Sequence, residues 1–456
     1  MTSDVIIAGA GVAGTAVAAA LAEFGYSVLI VEPGMNRPKR LAGELIHPPG
    51  VEDLRELGLL ACLEQSGVTP VQGFAVFAGD CAAKPAADSF VSAATGAYLL
   101  PYAATTGRRN QGLAIEHEIL SEALLGAVTK FSHVTVWKDA HVMVTDLSQA
   151  EVATVTVMKA GRECQLCTRL LVAADGRHSP LRRMGGIGHK QVHISNMVGY
   201  SLRNSCLPHP GFGHLFLRGP APAVAYEVGP GTTRIMFDLP QQLNGAATPA
   251  EYMRRYLDAL PQPLRSEVQH VMETQSPLMS NNSCIIPDAV IRGRLVCAGD
   301  AGGCCHPLTA TGLSVCMRDA IRLRQALRET AGDIPGALRR YAKRRKGPQR
   351  TRLAGTELLY DVFKAERPEM HLLREGLLRY WRQSAHGRAA TMSLLSTQEE
   401  RRSVLIREYL LMCRYALPEL IHGRDDEGPR SRDSRNQAVL GLSRAVLKFL
   451  GETCQR

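Results

Sequence analysis

The stretch from Arg294 to Asp319 has the composition of a site for a ligand that bears hydroxyl and phosphate groups. Its pattern predicts a buried strand at 295–298, a turn at Gly299-Asp300 and a helix that begins near Gly312. A strand that ends in Gly-Asp places a carboxylate at the carboxyl edge of a sheet. The small residues after it let backbone N–H groups approach a flat or anionic group closely. An ordinary glycine-rich loop is the alternative interpretation.

A second chemical pattern lies near the N-terminus. A buried strand leads into Gly9-x-Gly11-x-x-Gly14, then an alanine-rich helix and a second strand that ends at Glu32. The glycines permit a tight turn, the approach of a pyrophosphate to the helix N-terminus, and close packing of helix against strand. The carboxylate stands where it accepts hydrogen bonds from ribose hydroxyls. Because strand, glycines, helix and acid occur in this order, we predict a dinucleotide-binding fold.

Two further segments carry polar residues next to predicted strands. The segment 40–44 follows the dinucleotide pattern closely, so we expect it to cross the flat ring of a cofactor; a plain connecting loop is the alternative. Later, a buried strand ends at Asp175-Gly176, with Ser179 and Arg182 behind it. This order predicts a second turn that faces a ribose or a nicotinamide.

The elements that position these motifs fall into several parts. Short apolar runs at 71–106 predict strands of a different sheet, and 133–157 predicts three strands in a meander. Helices over 371–417 are expected to pack across the substrate entrance. The segment 112–128 has helical spacing, with these residues on one apolar face: Ile115, Ile119, Leu120, Ala123, Leu124 and Val128.

Composition excludes some classes of protein. The net charge is +10, but Lys and Arg are scattered except in 339–352, so nucleic-acid binding is not implied. That basic run predicts a solvated helix face, with attraction to anionic lipid headgroups as the alternative. The twelve cysteines lack zinc spacing, so we expect no metal site and reduced thiols in a cytoplasmic protein. Peripheral association with the inner face of a membrane is left open.

The motifs together resemble the three fingerprints of the single-component, class A FAD-dependent monooxygenases. Within that class, GELIHPPGVEDLRELGL and GDAGGCCHPLTATGLSVCMRDA are most similar to the squalene epoxidases. The resemblance implies an α/β fold: a Rossmann-like FAD-binding domain of the glutathione-reductase or PHBH-like type, an inserted mixed β-sheet substrate domain, and a C-terminal helical region. The expected boundaries are 1–70, 111–184 and 281–350 for FAD binding, 71–110 and 185–280 for substrate binding, 351–421 for the helical region, 422–436 for a flexible linker and 437–456 for a terminal amphipathic helix.

The resemblance also assigns residues. Tyr102 falls near a tyrosine that shapes the active site of squalene epoxidases, and His306 stands in the loop that supports the isoalloxazine ring. The residues expected to contact the cofactor are Gly9, Gly11, Ala13, Gly14, Glu32, Arg40, Gly43, Glu44, His117, Asp175, Gly176, Asp300, Pro307, Thr309, Thr311, Gly312 and Leu313. Two departures stand out. Ala310-Thr311 replaces family glycines, and His117 stands where the family has an FAD-contacting arginine.

The implied chemistry is insertion of one oxygen atom from O2 into a lipophilic substrate, through a C4a-hydroperoxyflavin formed with FAD and NADH or NADPH. Arg outnumbers Lys by 43 to 10, which is typical of a GC-rich bacterial genome. We therefore expect epoxidation of an alkene or a prenylated aromatic or quinolone-like compound in specialised metabolism, with epoxide rearrangement as a further step. Squalene epoxidation, a geranylgeranyl reductase-like activity and a non-catalytic FAD- or lipid-binding role are the alternatives. The sequence does not indicate the oligomeric state.

Overall fold

The protein is described by a computed structural model that covers residues 2–34, 41–79, 90–92, 94–102, 111–241, 249–421 and 441. Arg40 and the linker expected at 422–436 lie outside the described residues. The terminal helix expected at 437–456 also lies outside them, apart from residue 441.

The described chain alternates strands and helices and then becomes wholly helical. The strands are β1 (Thr2–Ala8), β2 (Val28–Glu32), β3 (Leu45–Ile46), β4 (Thr69–Val71), β5 (Gly73–Phe77), β6 (Tyr98–Pro101), β7 (Gly112–Ala114), β8 (Val134–Lys138), β9 (Ala140–Asp146), β10 (Ala153–Lys159), β11 (Arg162–Ala173), β12 (His189–Arg203), β13 (Phe212–Phe216), β14 (Ala223–Gly229), β15 (Thr232–Pro240), β16 (Leu278–Pro287), β17 (Ile291–Arg292) and β18 (Leu295–Cys297). The helices are α1 (Val12–Ala22), α2 (Pro48–Glu56), α3 (Leu60–Glu64), α4 (His117–Val128), α5 (Pro180–Met184), α6 (Pro249–Ala259), α7 (Leu264–Thr274), α8 (Gly312–Glu329), α9 (Ile334–Lys364), α10 (Pro368–Gln383), α11 (Ala385–Leu395) and α12 (Arg402–Ile421).

The first sheet carries the predicted dinucleotide pattern. Its parallel core has the order β18-β11-β1-β2-β8, and Ile6 of β1 lies opposite Leu29 of β2 and Leu171 of β11. Buried apolar residues fill both faces of β1, as expected for a parallel strand covered on two sides. Helices α1 and α8 pack together on one face, where Val17, Ala20 and Met317 belong to one apolar cluster. The α/β fold predicted from the sequence is confirmed.

The meander expected at 133–157 is only partly present. Strands β9 and β10 pair in antiparallel fashion, but β8 pairs with β2 in parallel at the edge of the first sheet. An alternating apolar pattern identifies a strand with one buried face without specifying its partner.

A second sheet is mixed and has seven strands in the order β16-β12-β15-β14-β13-β5-β6. The β13–β5 pair is parallel and the other pairs are antiparallel. Successive residues of β15 face opposite sides, so Phe237 packs with α6 and α7 while Met236 packs toward the C-terminal helices. Strands from 71–110 and 185–280 thus share one sheet. Strand β16 and helix α9 each run across one of the expected boundaries.

The helix expected from residue 112 begins later. Gly112–Ala114 forms β7, which pairs with β3 and β4 in a small third sheet, and α4 begins at His117. Ile119 is 40% exposed, so its expected place on the apolar face is wrong. A short apolar strand directly before a helix continues the apolar pattern, which hides the boundary.

Helices α10 and α12 cover the second sheet together with part of α9. Their buried side chains belong to the same apolar cluster as Tyr102 and Met236, and they include Val362, Leu373, Leu377, Trp381, Tyr409 and Met412. Within the part of the chain that the structure describes, no helix combines the length and apolar character needed to cross a membrane.

Candidate active site

The glycine pattern after β1 shapes the N-terminus of α1. Gly9 has φ +102°, and a Cβ on Gly14 would lie 1.9 Å from the carbonyl oxygen of Gly9. These two glycines therefore allow backbone to pack on backbone. Gly11 is exposed, and a Cβ there would meet nothing within 4 Å. Open space thus borders the first turn of α1, where backbone N–H groups favour an anion such as a pyrophosphate.

Glu32 lies beside this glycine loop, at the end of β2. Its Oε2 accepts a hydrogen bond from the backbone N–H of Ala10 at 2.8 Å, and Oε1 accepts one from Gly34 at 3.2 Å. The carboxylate is buried at the carboxyl end of β2. The parallel pairing of β1 with β2 brings the acid and the glycines together, although 22 residues separate Ala10 from Glu32.

Asp175 organises the turn after β11. One carboxylate oxygen accepts a hydrogen bond from the Ser179 hydroxyl, and the other accepts one from the backbone N–H of Leu181 at 2.9 Å. Burial raises the pKa of Asp175, and these hydrogen bonds oppose the rise. Arg182 is fully buried and donates to the carbonyl oxygen of Ala301 at 2.7 Å. This segment therefore connects directly to the turn that contains Asp300. Gly176 has φ +85°, with open space at its Cβ position.

The Asp300 turn is fixed from behind by a buried ion pair that the sequence analysis did not anticipate. Asp319 of α8 accepts a hydrogen bond from the Gly299 N–H at 3.0 Å and pairs with Arg345 at 2.9 Å. Arg345 also donates to the carbonyl oxygen of Gly302 at 2.6 Å. Arg345 is 1% exposed, so the prediction of a solvated basic face is wrong at this position. Within the same run, Arg340 and Arg344 are more exposed and pair with Glu329.

The loop 306–312 forms the next part of the site. Pro307–Thr309 makes a 3-10 turn, and Ala310 follows in the left-handed conformation with φ 50°. Ala310 is one of the positions where the family that the sequence resembles has glycine. Glycine adopts the left-handed conformation without the steric cost of a Cβ. Pro307 is exposed, whereas Thr309 and Thr311 are buried.

Three expected cofactor residues meet where α8 begins. A Cβ on Gly43 would lie 3.1 Å from the Leu313 side chain, and His117 Nδ1 lies 3.0 Å from the Gly43 carbonyl oxygen. Gly312 has open space at its Cβ position. Ala13 packs close to this region, because a Cβ on Gly299 would lie 2.7 Å from it. The structure thus brings the N-terminal, 43–44 and 312–313 segments together.

Glu44 faces the second sheet. Its two carboxylate oxygens accept hydrogen bonds from Arg234 of β15 at 2.7 and 3.0 Å. Both side chains are almost completely buried. This bidentate ion pair ties the 43–44 segment to the mixed sheet. The arginine was missed in the sequence, where the available signal was a charged residue within the otherwise apolar and hydroxyl-bearing segment TTRIMF at the start of β15.

Tyr102, the expected active-site tyrosine, is fully buried and has a partner that sequence reasoning missed. Its hydroxyl lies 2.6 Å from Nδ1 of His47, whose Nε2 lies 2.8 Å from the Thr309 carbonyl oxygen. A carbonyl oxygen only accepts, so Nε2 carries the hydrogen and Nδ1 accepts from the Tyr102 hydroxyl. Burial lowers the pKa of His47 to about 4, although the hydrogen bond to Thr309 opposes this. A neutral imidazole therefore links β6 to the loop 306–312. The signal was a histidine inside the apolar stretch LIHPP.

A buried polar cluster, which we call the Asp238 cluster, lies behind His306. It consists of Ser195, Asp238, Asn282, His306 and Tyr360. His306 Nδ1 accepts a hydrogen bond from the Leu308 N–H, so its Nε2–H faces Asp238 Oδ1 at 3.2 Å. Tyr360 donates to the other Asp238 oxygen at 2.6 Å. The cluster joins the loop 306–312 to three strands of the mixed sheet and to α9. Among the described residues, no group of acidic, histidine or cysteine side chains is arranged to hold a metal ion.

Comparison with known proteins identifies related sequences. A family model described as squalene epoxidase matches residues 167–426. Squalene epoxidase erg1 from Schizosaccharomyces pombe is 26% identical over 436 residues, covering 92% of this chain and 91% of that protein. Squalene monooxygenase from Mus musculus is 27% identical over 429 residues, covering 91% and 71%.

Solved structures share the fold at lower identity. OxyS anhydrotetracycline hydroxylase from Streptomyces rimosus superposes with a TM-score of 0.63 at 19% identity, covering 87% of this chain and 76% of that one. PqsL from P. aeruginosa, in complex with 2-aminobenzoylacetate, has a TM-score of 0.61 at 20% identity, covering 86% and 100%. The family model covers more than half of the sequence. The chain therefore belongs to the squalene epoxidase family and is an FAD-dependent monooxygenase.

Proposed function

We propose that the enzyme epoxidises an alkene in a lipophilic substrate, such as a prenylated aromatic or quinolone-like compound of bacterial specialised metabolism, with NADH or NADPH as electron donor. One observation carries this proposal. The apolar cluster between the mixed sheet and the C-terminal helices reaches the loop 306–312, because Leu308 and Ala310 pack against it together with Tyr102. An apolar substrate in this region would meet the loop expected to support the flavin ring.

The residues around the open space fit FAD. Gly11 and the N-terminus of α1 would bind the pyrophosphate, and Glu32 would accept hydrogen bonds from the adenosine ribose. Asp300 would bind the ribityl chain, and Gly43 with Thr311, Gly312 and Leu313 would lie along the ring. Once bound and reduced by NADH or NADPH, FAD supplies an activated oxygen atom derived from O2. The remaining cofactor assignments from the sequence, at Ala13, Gly14, Asp175, Pro307 and Thr309, belong to the same proposal.

Some of those residues would act through the backbone rather than by direct contact. The Glu44 carboxylate is bound by Arg234, so we propose that it positions the 43–44 segment. His117 contacts the Gly43 carbonyl oxygen and would act in the same way. The Asp175 carboxylate accepts two hydrogen bonds from its own turn and would hold that turn in place.

The reaction consumes one alkene, O2, one NAD(P)H and one proton, and it yields an epoxide, NAD(P)+ and water. The protein must keep bulk water away from the reacting oxygen, which apolar walls achieve. Tyr102 and His47 would fix the shape of the site at the point where β6 meets the loop 306–312. Since His47 is neutral in its buried position, we assign it a positioning role rather than proton transfer.

Squalene is the second candidate substrate. It is favoured by the family match and by the relatives named squalene epoxidase or squalene monooxygenase. The main proposal is supported by the departure from glycine at Ala310-Thr311 and by the excess of Arg over Lys. A changed loop beside the ring would alter which substrate shapes fit.

The domain boundaries and a membrane contact are parts of the same proposal. We propose that 1–70, 111–184 and 281–350 bind FAD, that 71–110 and 185–280 contact the substrate, and that 351–421 covers it. Leu410 and Leu417, seven residues apart on α12, are 45% and 47% exposed. They would contact a lipid surface, so that the enzyme would associate peripherally with a membrane and take a lipophilic substrate from it.

Purified enzyme loaded with FAD tests the proposal. It is incubated with NADH or NADPH and with a prenylated aromatic alkene, an alkenyl quinolone or squalene, while NAD(P)H consumption and epoxide formation are measured. Stimulation and epoxide formation by the first two compounds are expected. Epoxidation of squalene alone would replace the main proposal by the second candidate.

A further inference from the structure

A partly enclosed cavity lies among the C-terminal helices, next to the loop 306–312. Residues of α8, α9, α10, α11 and α12 line it, together with Thr309 and Thr311 of the loop. On α8 the lining residues are Val315, Asp319 and Arg322. These are spaced at four and three residues, so they share one face of the helix. The neighbouring residues Cys316 and Met317 instead belong to the cluster that packs with α1.

The wall of the cavity is largely apolar. Its side chains come from four helices and include Leu359, Val362, Leu377, Leu395, Tyr409 and Met412. Such a wall favours a hydrocarbon, because burying an apolar chain there removes both surfaces from water.

The charged residues on the lining already have protein partners. Arg322 pairs with Glu400 at 2.6 Å, and Arg345 pairs with Asp319 at 2.9 Å. Arg352 donates to the Gly303 carbonyl oxygen at 3.3 Å. An anionic ligand would have to compete with these contacts, so the lining selects an uncharged occupant.

The cavity borders the proposed reaction site. Val362, Leu377 and Tyr409 line it and also belong to the apolar cluster that contains Tyr102. The hydroxyl of Thr309 lies 3.2 Å from that of Thr356, another lining residue, while the Thr309 carbonyl oxygen contacts His47. Apolar side chains therefore run without interruption from the vicinity of Tyr102 to the wall of the cavity.

We propose that this cavity binds the hydrocarbon chain of the substrate at the end remote from the reacting alkene. The assignment rests on the proposed epoxidation of a lipophilic alkene. It predicts that the enzyme distinguishes substrates by the length of the chain beyond the alkene, because only a long chain reaches the helices.

Gly355 of α9 offers a direct test. It lines the cavity, and a Cβ there would have Leu405 as its nearest neighbour at 3.6 Å, so Gly355→Leu extends into the cavity from a position that accepts a side chain. The matched control is Gly126→Leu on α4. Gly126 is exposed, and a Cβ there would meet nothing within 4 Å. Both substitutions exchange glycine inside a helix for a better helix former, so the change in helix propensity is similar.

Two measurements are made on the FAD-loaded enzyme. Diphenylhexatriene, an uncharged linear polyene, is titrated and its fluorescence gives a Kd; KM and kcat are then measured for alkenes with short and long chains. In Gly355→Leu we expect the Kd of the probe and the KM of the long-chain alkene to rise by about tenfold. The kcat of the short-chain alkene and all values in Gly126→Leu should match the wild type.

If Gly355→Leu and wild type bind the probe with equal Kd, the proposal that this cavity binds an apolar chain is overturned. Loss of probe binding with an unchanged long-chain KM would overturn its assignment to the substrate. If the wild type oxygenates no alkene, the proposed epoxidation fails, whereas the probe titration still decides whether the cavity binds an apolar chain.

Discussion

Replacing His47 by glutamine removes a titrating group from the bridge between Tyr102 and Thr309 while keeping one acceptor and one donor. The amide oxygen can accept from the Tyr102 hydroxyl and the amide nitrogen can donate to the Thr309 carbonyl oxygen. The comparison of His47→Gln with wild type therefore isolates the effect of protonating this imidazole.

The expected magnitude follows from the pKa of His47, which burial lowers from 6.5 to about 4. The folded state binds this proton less readily than the unfolded state. The contribution of neutral His47 to the free energy of unfolding is therefore fully present above pH 6.5, and it is lost as the pH falls from 6.5 toward 4. Between pH 7 and pH 5 the loss is about 2 kcal/mol, at about 1.4 kcal/mol per pKa unit.

Urea unfolding of the FAD-saturated protein at pH 7 and pH 5 measures this loss. Wild type should lose about 2 kcal/mol more than His47→Gln over that interval, because the other titrating groups are shared and cancel. A third variant, His47→Leu, should be less stable at both pH values, since two buried hydrogen bonds disappear at about 1–3 kcal/mol each. An equal pH-dependent loss in wild type and His47→Gln would refute a buried, neutral His47.

Three further predictions concern the cofactor loop and its support. Gly14→Ala should prevent FAD binding or folding, because its Cβ would lie 1.9 Å from a backbone oxygen. Gly11→Ala should fold and bind FAD more weakly. The ratio of flavin absorbance to protein absorbance measures FAD binding in both variants, and equal ratios would contradict the geometry of the glycine loop. Arg345→Met should lower the free energy of unfolding by about 3 kcal/mol, because the buried Asp319 then keeps only the more distant Arg322, at 3.8 Å, as an ionic partner. A loss below about 1 kcal/mol in urea titration would contradict this. Ala310→Val should lower the free energy of unfolding by more than about 1 kcal/mol, because a β-branched residue fits the left-handed region poorly, while Ala310→Gly should be tolerated. If thermal unfolding ranks the two variants in the opposite order, the left-handed conformation of Ala310 is contradicted.

The sequence sufficed for features whose parts lie close together along the chain. The order of strand, glycines and helix from β1 through α1 predicted a dinucleotide-type fold, and β1 and β2 pair in parallel with β2 ending at Glu32 as expected. The structure also places Gly43 next to Leu313, two residues that the family resemblance assigned to the cofactor. Local patterns failed where a boundary fell inside a continuous apolar run, as at β7 and α4.

The partners that hold the site together could not be read from spacing. Glu44 and Arg234 are 190 residues apart, and Tyr102 meets His47 across 55 residues. Such pairs depend on how the mixed sheet docks on the first sheet, and a single sequence carries no signal for that docking. Arg345 illustrates the same limit, because within a basic run its burial is decided by Asp319 on another helix. The residues that hold the site together from behind are therefore the ones that the sequence did not predict.

Incorporation of oxygen-18 from labelled O2 tests the central claim most directly. Purified FAD-loaded enzyme is incubated with NADH or NADPH, labelled O2 and an alkene substrate that stimulates NAD(P)H consumption, and the product is examined by mass spectrometry. A monooxygenase of this kind should place one labelled oxygen atom in each epoxide, and labelled water should contribute none. A product that gains two hydrogen atoms and no oxygen would contradict the account and indicate a flavin-dependent reductase.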